Sequence, residues 1–168
     1  IHREIENCKS GETGRIVVQM NSLADPEIIA YLYKASQAGV KIDCIVRGIC
    51  CLRPGLEGIS DNIKVVSIVG RYLEHSRIFY FYNKGKEEVY IGSADWMPRN
   101  LDRRVEAITA VEDPEIAKEL QEIMGILLSD NRQAWDLQPD GKYIQRRSTD
   151  NFPELACHKI LMETVANN

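Results

Sequence analysis

The chain has 168 residues, 44% hydrophobic and 27% charged, with a net charge of −4. That is enough for one domain with its own apolar core and too little for two. No apolar run approaches the roughly 20 residues that span a bilayer, the opening Ile1-His2-Arg3-Glu4 has no signal-peptide pattern, and the acidic balance argues against a general nucleic-acid binder. A cytoplasmic globular domain is expected.

The first residues read as the tail of a helix, which with the initial Ile suggests a piece of a longer enzyme. Residues 1–14 are expected to end a linking helix and loop, and residues 15–168 to form a single domain. Arg15 to Met20 is a short β-branched apolar run, the pattern of a buried strand. Asp25-Pro26-Glu27 places an N-cap before a proline at the first helical position, and Ile28, Ile29, Leu32, Tyr33 and Ala35 follow at helical spacing up to Gly39. A second strand, Lys41 to Arg47, comes directly after. This strand-helix-strand order implies parallel pairing with a right-handed crossover, and ligands of such sheets sit at the carboxyl ends of the strands, where Asn21 and Arg47 fall.

Further strands are predicted at Ile63–Val69, Ile78–Tyr82 and Glu88–Ile91, with Asn83 to Lys86 as a hairpin turn between the last two. Arg104 to Val111 alternates as a sixth strand. Asp113-Pro114-Glu115 repeats the helix-start chemistry and launches an amphipathic helix to about Ser129, with Ile116, Leu120, Ile123, Met124 and Leu127 on one face. Residues 138–152 read as loop with a basic extended piece at Tyr143–Arg147, and Pro153 to Val165 as a final helix. The fold class expected is α/β, a mixed sheet with helices on both faces.

Five cysteines without a C-x-x-C pair support neither a disulfide framework nor a zinc ribbon. Cys50 and Cys51, adjacent at a strand end, point in opposite directions and do not make a metal site with His75.

Two segments carry the chemistry. His75-Ser76-Arg77 opens an apolar strand, and Gly92-Ser93-Ala94-Asp95-Trp96 follows one strand-turn-strand later. An imidazole can attack, protonate or clamp a phosphoryl group, and a guanidinium two residues along a strand shares its face. A Gly-Ser turn offers N–H and hydroxyl donors to phosphate oxygens. The charge is distributed to match: Arg47 to Arg104 holds ten Lys/Arg against seven Asp/Glu, while the rest of the chain is strongly acidic.

The wording of three segments, Arg47-Gly48-Ile49-Cys50-Cys51-Leu52-Arg53-Pro54-Gly55, Arg71-Tyr72-Leu73-Glu74-His75-Ser76-Arg77 and Tyr90-Ile91-Gly92-Ser93-Ala94-Asp95-Trp96-Met97-Pro98-Arg99-Asn100, closely resembles in order and spacing the C-terminal part of bacterial polyphosphate kinases of the first type. The resemblance runs from residue 15 to about 147. It implies the second of two tandem domains of phospholipase D-like fold, whose His-x-Lys motif here reads His-x-Arg. It further implies reversible transfer of the terminal phosphate of ATP to inorganic polyphosphate, with Mg²⁺, through a phosphohistidine on a preceding domain absent from this sequence. ATP/ADP, polyphosphate, the missing domains and a homo-oligomer of the full-length enzyme are the partners so implied. No carboxylate cluster stands out as the Mg²⁺ ligand.

His75 is the expected catalytic residue, as general acid or charge clamp. Arg47 matches the family's nucleotide-contacting arginine, and Arg77, Gly92 and Ser93 complete the expected phosphate-binding set. A carboxylate facing phosphates would repel them, so Asp95 is expected to orient His75 or to pair with an arginine; an Arg77–Asp95 ion pair competes with phosphate binding by Arg77. Asn21, Arg99, Arg104 and Glu106 are supporting residues, with Arg103 on the same arginine-rich rim and Glu106 holding one of these arginines. Trp96, Tyr80 and Tyr82 are expected in the core rather than on a base, and His2 and His158 in structural roles. Two other readings stay open on the residues alone: a phospholipase D-type phosphodiesterase or nuclease that pairs two single-motif chains and uses His75 as nucleophile, and a non-catalytic polyanion-binding or assembly module.

Overall fold

A computed structural model describes residues 1–150 and 152–166 of the chain. Asn151 of the predicted loop, and the last two residues of the predicted domain, lie outside the described residues. Eight strands form one mixed sheet in the order β6-β5-β4-β1-β2-β3-β7-β8. β1 (Arg15–Met20), β2 (Lys41–Val46) and β3 (Ile63–Ile68) run parallel at its centre. The hairpin of β4 (Ile78–Phe81) and β5 (Glu88–Gly92) extends the sheet antiparallel beside β1, and β6 (Ile108–Ala110) closes that side. β7 (Ala134–Leu137) and β8 (Tyr143–Gln145) are added antiparallel beyond β3.

Both faces of the central strands are buried, which is why they read as continuous apolar runs. On one face Ile16, Val18, Met20, Ile42, Cys44 and Val65 pack with Ile5 of α1 (His2–Lys9) and with Ile29, Leu32 and Ala35 of α2 (Pro26–Gln37). On the other, Val17, Ile45, Val66, Ile78 and Tyr80 pack with Met124 and Leu127 of α4 (Pro114–Ser129) and Cys157 of α5 (Cys157–Ala166). The mixed sheet with helices on both faces is therefore present. The two Asp-Pro starts also act as read. Asp25 accepts from the Ile28 N–H at 2.8 Å, and Asp113 from the N–H groups of Glu115 and Ile116 at 2.9 and 3.2 Å.

α1 is packed onto this domain rather than trailing from it. Glu4, 1% exposed, accepts from the backbone N–H groups of Arg15 and Asn83.

Four elements depart from the predicted ones. The sixth strand spans Ile108–Ala110 instead of 104–111, because Ser93 Oγ takes the Ala107 N–H and Glu106 turns to meet Ser93 and Asn100. α3 (Pro98–Asp102), a single short turn, was not predicted. Nor was β7, in which Ala134 and Leu137 are buried and Trp135 and Asp136 between them half-buried, a pattern without alternation. α5 begins at Cys157 and not at Pro153: residues 153–155 run as an extended strap held by Asn131, whose side chain donates to Pro153 O and accepts from the Leu155 N–H.

Candidate phosphoryl-binding site

The carboxyl ends of β1, β2 and β3, the start of β4 and the end of β5 all lie along one edge of the sheet, so the loops after them converge. Asn21 and Arg47 follow β1 and β2 immediately. His75 and Arg77 precede β4, and Gly92 ends β5.

One hydrogen-bonded chain ties five of the predicted residues together. Arg47 Nε donates to Asn21 Oδ1 at 2.9 Å, and the Asn21 side chain and backbone N–H both donate to Asp95 Oδ1, at 3.2 and 2.8 Å. Asp95 also accepts from Arg77 Nε and Nη2, at 3.2 and 3.3 Å. Arg77 Nη1 reaches His75, 2.8 Å from both Nδ1 and the backbone carbonyl. Asp95 is 4% exposed, so this is a buried carboxylate satisfied on both oxygens.

The consequences differ for the two arginines. Arg77 has its three nitrogens engaged by Asp95 and His75, so the ion pair that competed with phosphate binding is formed and the residue positions the histidine. Asp95 pairs with the arginine and does not touch His75. Arg47 spends only Nε on Asn21; among the described residues its two terminal nitrogens have no hydrogen-bond or ion-pair partner. A half-buried guanidinium with its fork unspent is suited to a phosphate.

Geometry also assigns the imidazole. A guanidinium has only donors, so Nδ1 of His75 must accept and the ring hydrogen lies on Nε2. His75 then carries its N–H on Nε2, 3.5 Å from the same Arg77 nitrogen, and its side chain borders an open space. That space is a cleft of about 650 Å³ lined by His75, Arg77, Ile91, Gly92, Ser93 and Ala107.

Gly92 and Ser93 line this cleft but do not offer the donors expected of them. The Gly92 N–H is bonded to Arg77 O and the Ser93 N–H to Ala107 O, at 3.2 and 3.0 Å, and the Ser93 hydroxyl is given to Glu106. What Gly92 permits is close packing, since a Cβ there would lie 2.6 Å from Ala107 O. Glu106 holds Ser93 and the buried Asn100 instead of pairing with an arginine. The Ser93 hydroxyl first, then Asn100 and the charges of Arg104 and Arg77, hold its carboxyl below the usual range. Asn100 lies in the third resembling segment, but nothing in its spacing marks a role. Arg99, Arg103 and Arg104 are exposed and, among the described residues, make no side-chain polar contact.

Trp96 and Tyr80 are core residues, and Tyr82 packs half-buried against the core. Trp96 is 8% exposed and stacks on Phe79 at 5.4 Å, and the Tyr80 hydroxyl donates to Glu87. Burial pushes the Cys50 thiol up to about 11, so it is not a ready metal ligand, and no group of three His, Cys, Asp or Glu gathers anywhere among the described residues. Asp95 and Glu106 are each committed to hydrogen-bond donors of this chain. No helix among the described residues is long and apolar enough to cross a membrane.

A family model for the polyphosphate kinase C-terminal domain 2 matches residues 1–156. A polyphosphate kinase of Synechocystis sp. is 69% identical over 147 residues, which is 88% of this chain and 20% of that protein. The crystal structure of polyphosphate kinase from Porphyromonas gingivalis superposes with a TM-score of 0.95 at 43% identity, over 99% of this chain and 25% of that one. Nuc from Salmonella typhimurium, a phospholipase D family member, matches over 80% of this chain and 88% of its own at a TM-score of 0.57 and 17% identity, a likeness of fold alone. The chain thus spans about a fifth to a quarter of the polyphosphate kinases it matches.

Proposed function

The chain belongs to the polyphosphate kinase C-terminal domain 2 family, and on that premise we propose that it forms one wall of a phosphoryl-transfer site whose other wall lies elsewhere in the full-length enzyme. The group transferred is the terminal phosphate of ATP, the acceptor is inorganic polyphosphate, and the reaction runs in both directions.

The observation that carries this reading is the linked chain Arg47–Asn21–Asp95–Arg77–His75, which holds one guanidinium with an unspent fork and one imidazole whose Nε2–H has no acceptor among the described residues. Such groups act on charge that develops as the phosphoryl moves. Arg47 neutralises the non-bridging oxygens in two-point contact, and His75 donates a hydrogen bond to one of them. Asp95 and Asn21 act at one remove, fixing the two donors without facing the phosphates. Around this polar centre Ile49, Val69, Leu73, Leu101 and Val105 stand exposed, an apolar rim that fits coverage by the remainder of the enzyme. Mg²⁺ belongs to the activity implied by the family.

The phosphodiesterase reading needs Nε2 of His75 as an attacking lone pair. That requires Nδ1 to carry the hydrogen, and the guanidinium against Nδ1 disfavours it. In the full-length enzyme Arg47→Ala should lower synthesis and its reversal on the order of 10²- to 10³-fold. Wild-type rates in that variant, or metal-independent cleavage of a simple phosphodiester by this chain, would overturn the proposal.

A further inference from the structure

His158 was read as structural because it lies on a terminal helix, yet it is 4% exposed and meets the loop that carries His75. Its Nε2 lies 2.8 Å from Oε1 of Glu74, the residue immediately before His75. Its Nδ1 lies 3.3 Å from the Tyr72 backbone N–H and 3.5 Å from Nε2 of Gln133. The Tyr72 N–H can only donate, so Nδ1 accepts and Nε2 carries the hydrogen that goes to Glu74. Both ring nitrogens are thereby spent on one loop.

The rest of the contact is built around that pair. The second oxygen of Glu74 accepts from Gln19 Nε2 at 3.0 Å, which ties the loop to the end of β1. The Tyr72 ring packs on the His158 ring at 5.4 Å, and its hydroxyl reaches Met162 one turn along α5. Gly70 allows the close approach: a Cβ there would fall 2.1 Å from Gln133 Nε2 and 2.8 Å from His158 Nδ1. The start of α5 is itself fixed, because Asp130 accepts the Cys157 N–H at 2.7 Å.

We propose that His158 is a positioning residue for phosphoryl transfer: with Glu74 it latches α5 to the 70–75 loop and so sets where His75 stands over the cleft. His158 touches no substrate. Apart from the contacts with α5 and the Glu74–Gln19 bond, the loop between β3 and β4 is lightly held: Leu73 is exposed and His75 is held through Arg77. Releasing the latch leaves His75 free to drift while Arg47, fixed through Asn21, stays in place. A displacement of about 1 Å at a catalytic group costs on the order of 10²-fold in rate.

This inference rests on the role given to His75. The test is made in the full-length polyphosphate kinase that contains this sequence, with His158→Ala, His158→Gln and Glu74→Gln, and with His75→Ala as the control for that role. His158→Ala should lower kcat on the order of 10²-fold with the KM for ATP little changed, and hydrogen exchange should quicken at the 70–75 amides but not in β1 or β2. His158→Gln keeps one donor and one acceptor at similar spacing and should recover most of the loss. Glu74→Gln keeps a neutral hydrogen bond and serves if the alanine variant does not fold. A wild-type kcat in His158→Ala alongside a dead His75→Ala would refute the latch alone. An equal kcat loss in the alanine and glutamine variants that tracks a general loss of thermal stability would also refute it. Activity retained in His75→Ala would instead remove the site reading, and the exchange measurement would still report whether His158 orders the loop.

Discussion

Asp95 and Asp130 are both buried, at 4% and 0% exposure, and each gathers four hydrogen bonds, but from different kinds of donor. Asp95 takes two from a guanidinium, one from the Asn21 amide and one from a backbone N–H. Asp130 takes all four from backbone, the N–H groups of Arg132, Gln133, Ala134 and Cys157. The first carboxylate fixes side chains that face a cleft and balances their charge. The second holds the chain together between α4, β7 and α5 through backbone donors alone. One buried aspartate thus organises side chains and the other backbone, and only the donors distinguish them.

The largest effect should come from breaking the first arrangement. Asp95→Ala leaves Arg77, with 14% of its side chain exposed, without its counter-charge, which costs about 3–5 kcal/mol of folding stability and should abolish transfer in the full-length enzyme. Urea melts and the transfer assay should fall together. Asp130→Ala removes a buried backbone acceptor, a loss of about 1–3 kcal/mol. It should loosen α5 while the Arg47–Asn21–Asp95 chain persists, so that protease cuts appear first near residues 153–157.

Gly92→Ala pushes a methyl group onto the Ala107 carbonyl and should cost about 1–3 kcal/mol. If the melting curve does not move, the tight join between β5 and β6 is not what makes this position glycine. The smallest effect is one of pH. Burial opposes ionisation of Asp130, but hydrogen bonds from Cys157, Gln133 and Arg132 outweigh it and hold its carboxyl below the usual range. As pH falls, the unfolded chain takes up this proton first. The stabilisation is therefore complete above the ordinary aspartate value of about 3.9 and is lost as pH drops through the lower folded value. Acid titration of the wild type should show this loss, and Asp130→Asn should remove it.

The same contrast explains how much could be read from the residues. The parallel core was legible because its strands are buried on both faces and its helices start at Asp-Pro pairs, both local signals. His75, Arg77 and the Gly92–Asp95 turn are legible as candidates because residue types suited to phosphate lie at short spacing, and Arg47 through its place at a strand end and the family resemblance. What those residues bond to was less visible. That Asp95 meets Asn21, 74 positions away, or that Glu106 takes the Ser93 hydroxyl and leaves the Gly-Ser turn with no spare donor, depends on loops converging at the sheet edge. The C-terminal joint was the least legible part. β7 has no clean alternation, and the late start of α5 is dictated by Asn131 and Asp130, side chains more than 20 residues upstream.

The most direct test of the central claim compares His75→Ala with His75→Gln in polyphosphate synthesis by the full-length enzyme. Glutamine can place an N–H near Nε2 but can neither attack phosphorus nor pass on a proton. If His75 clamps the moving phosphoryl with an N–H donor, alanine should lose on the order of 10²- to 10³-fold and glutamine should regain much of it. Glutamine as inactive as alanine would contradict the clamp and return the histidine to a covalent or proton-transfer role.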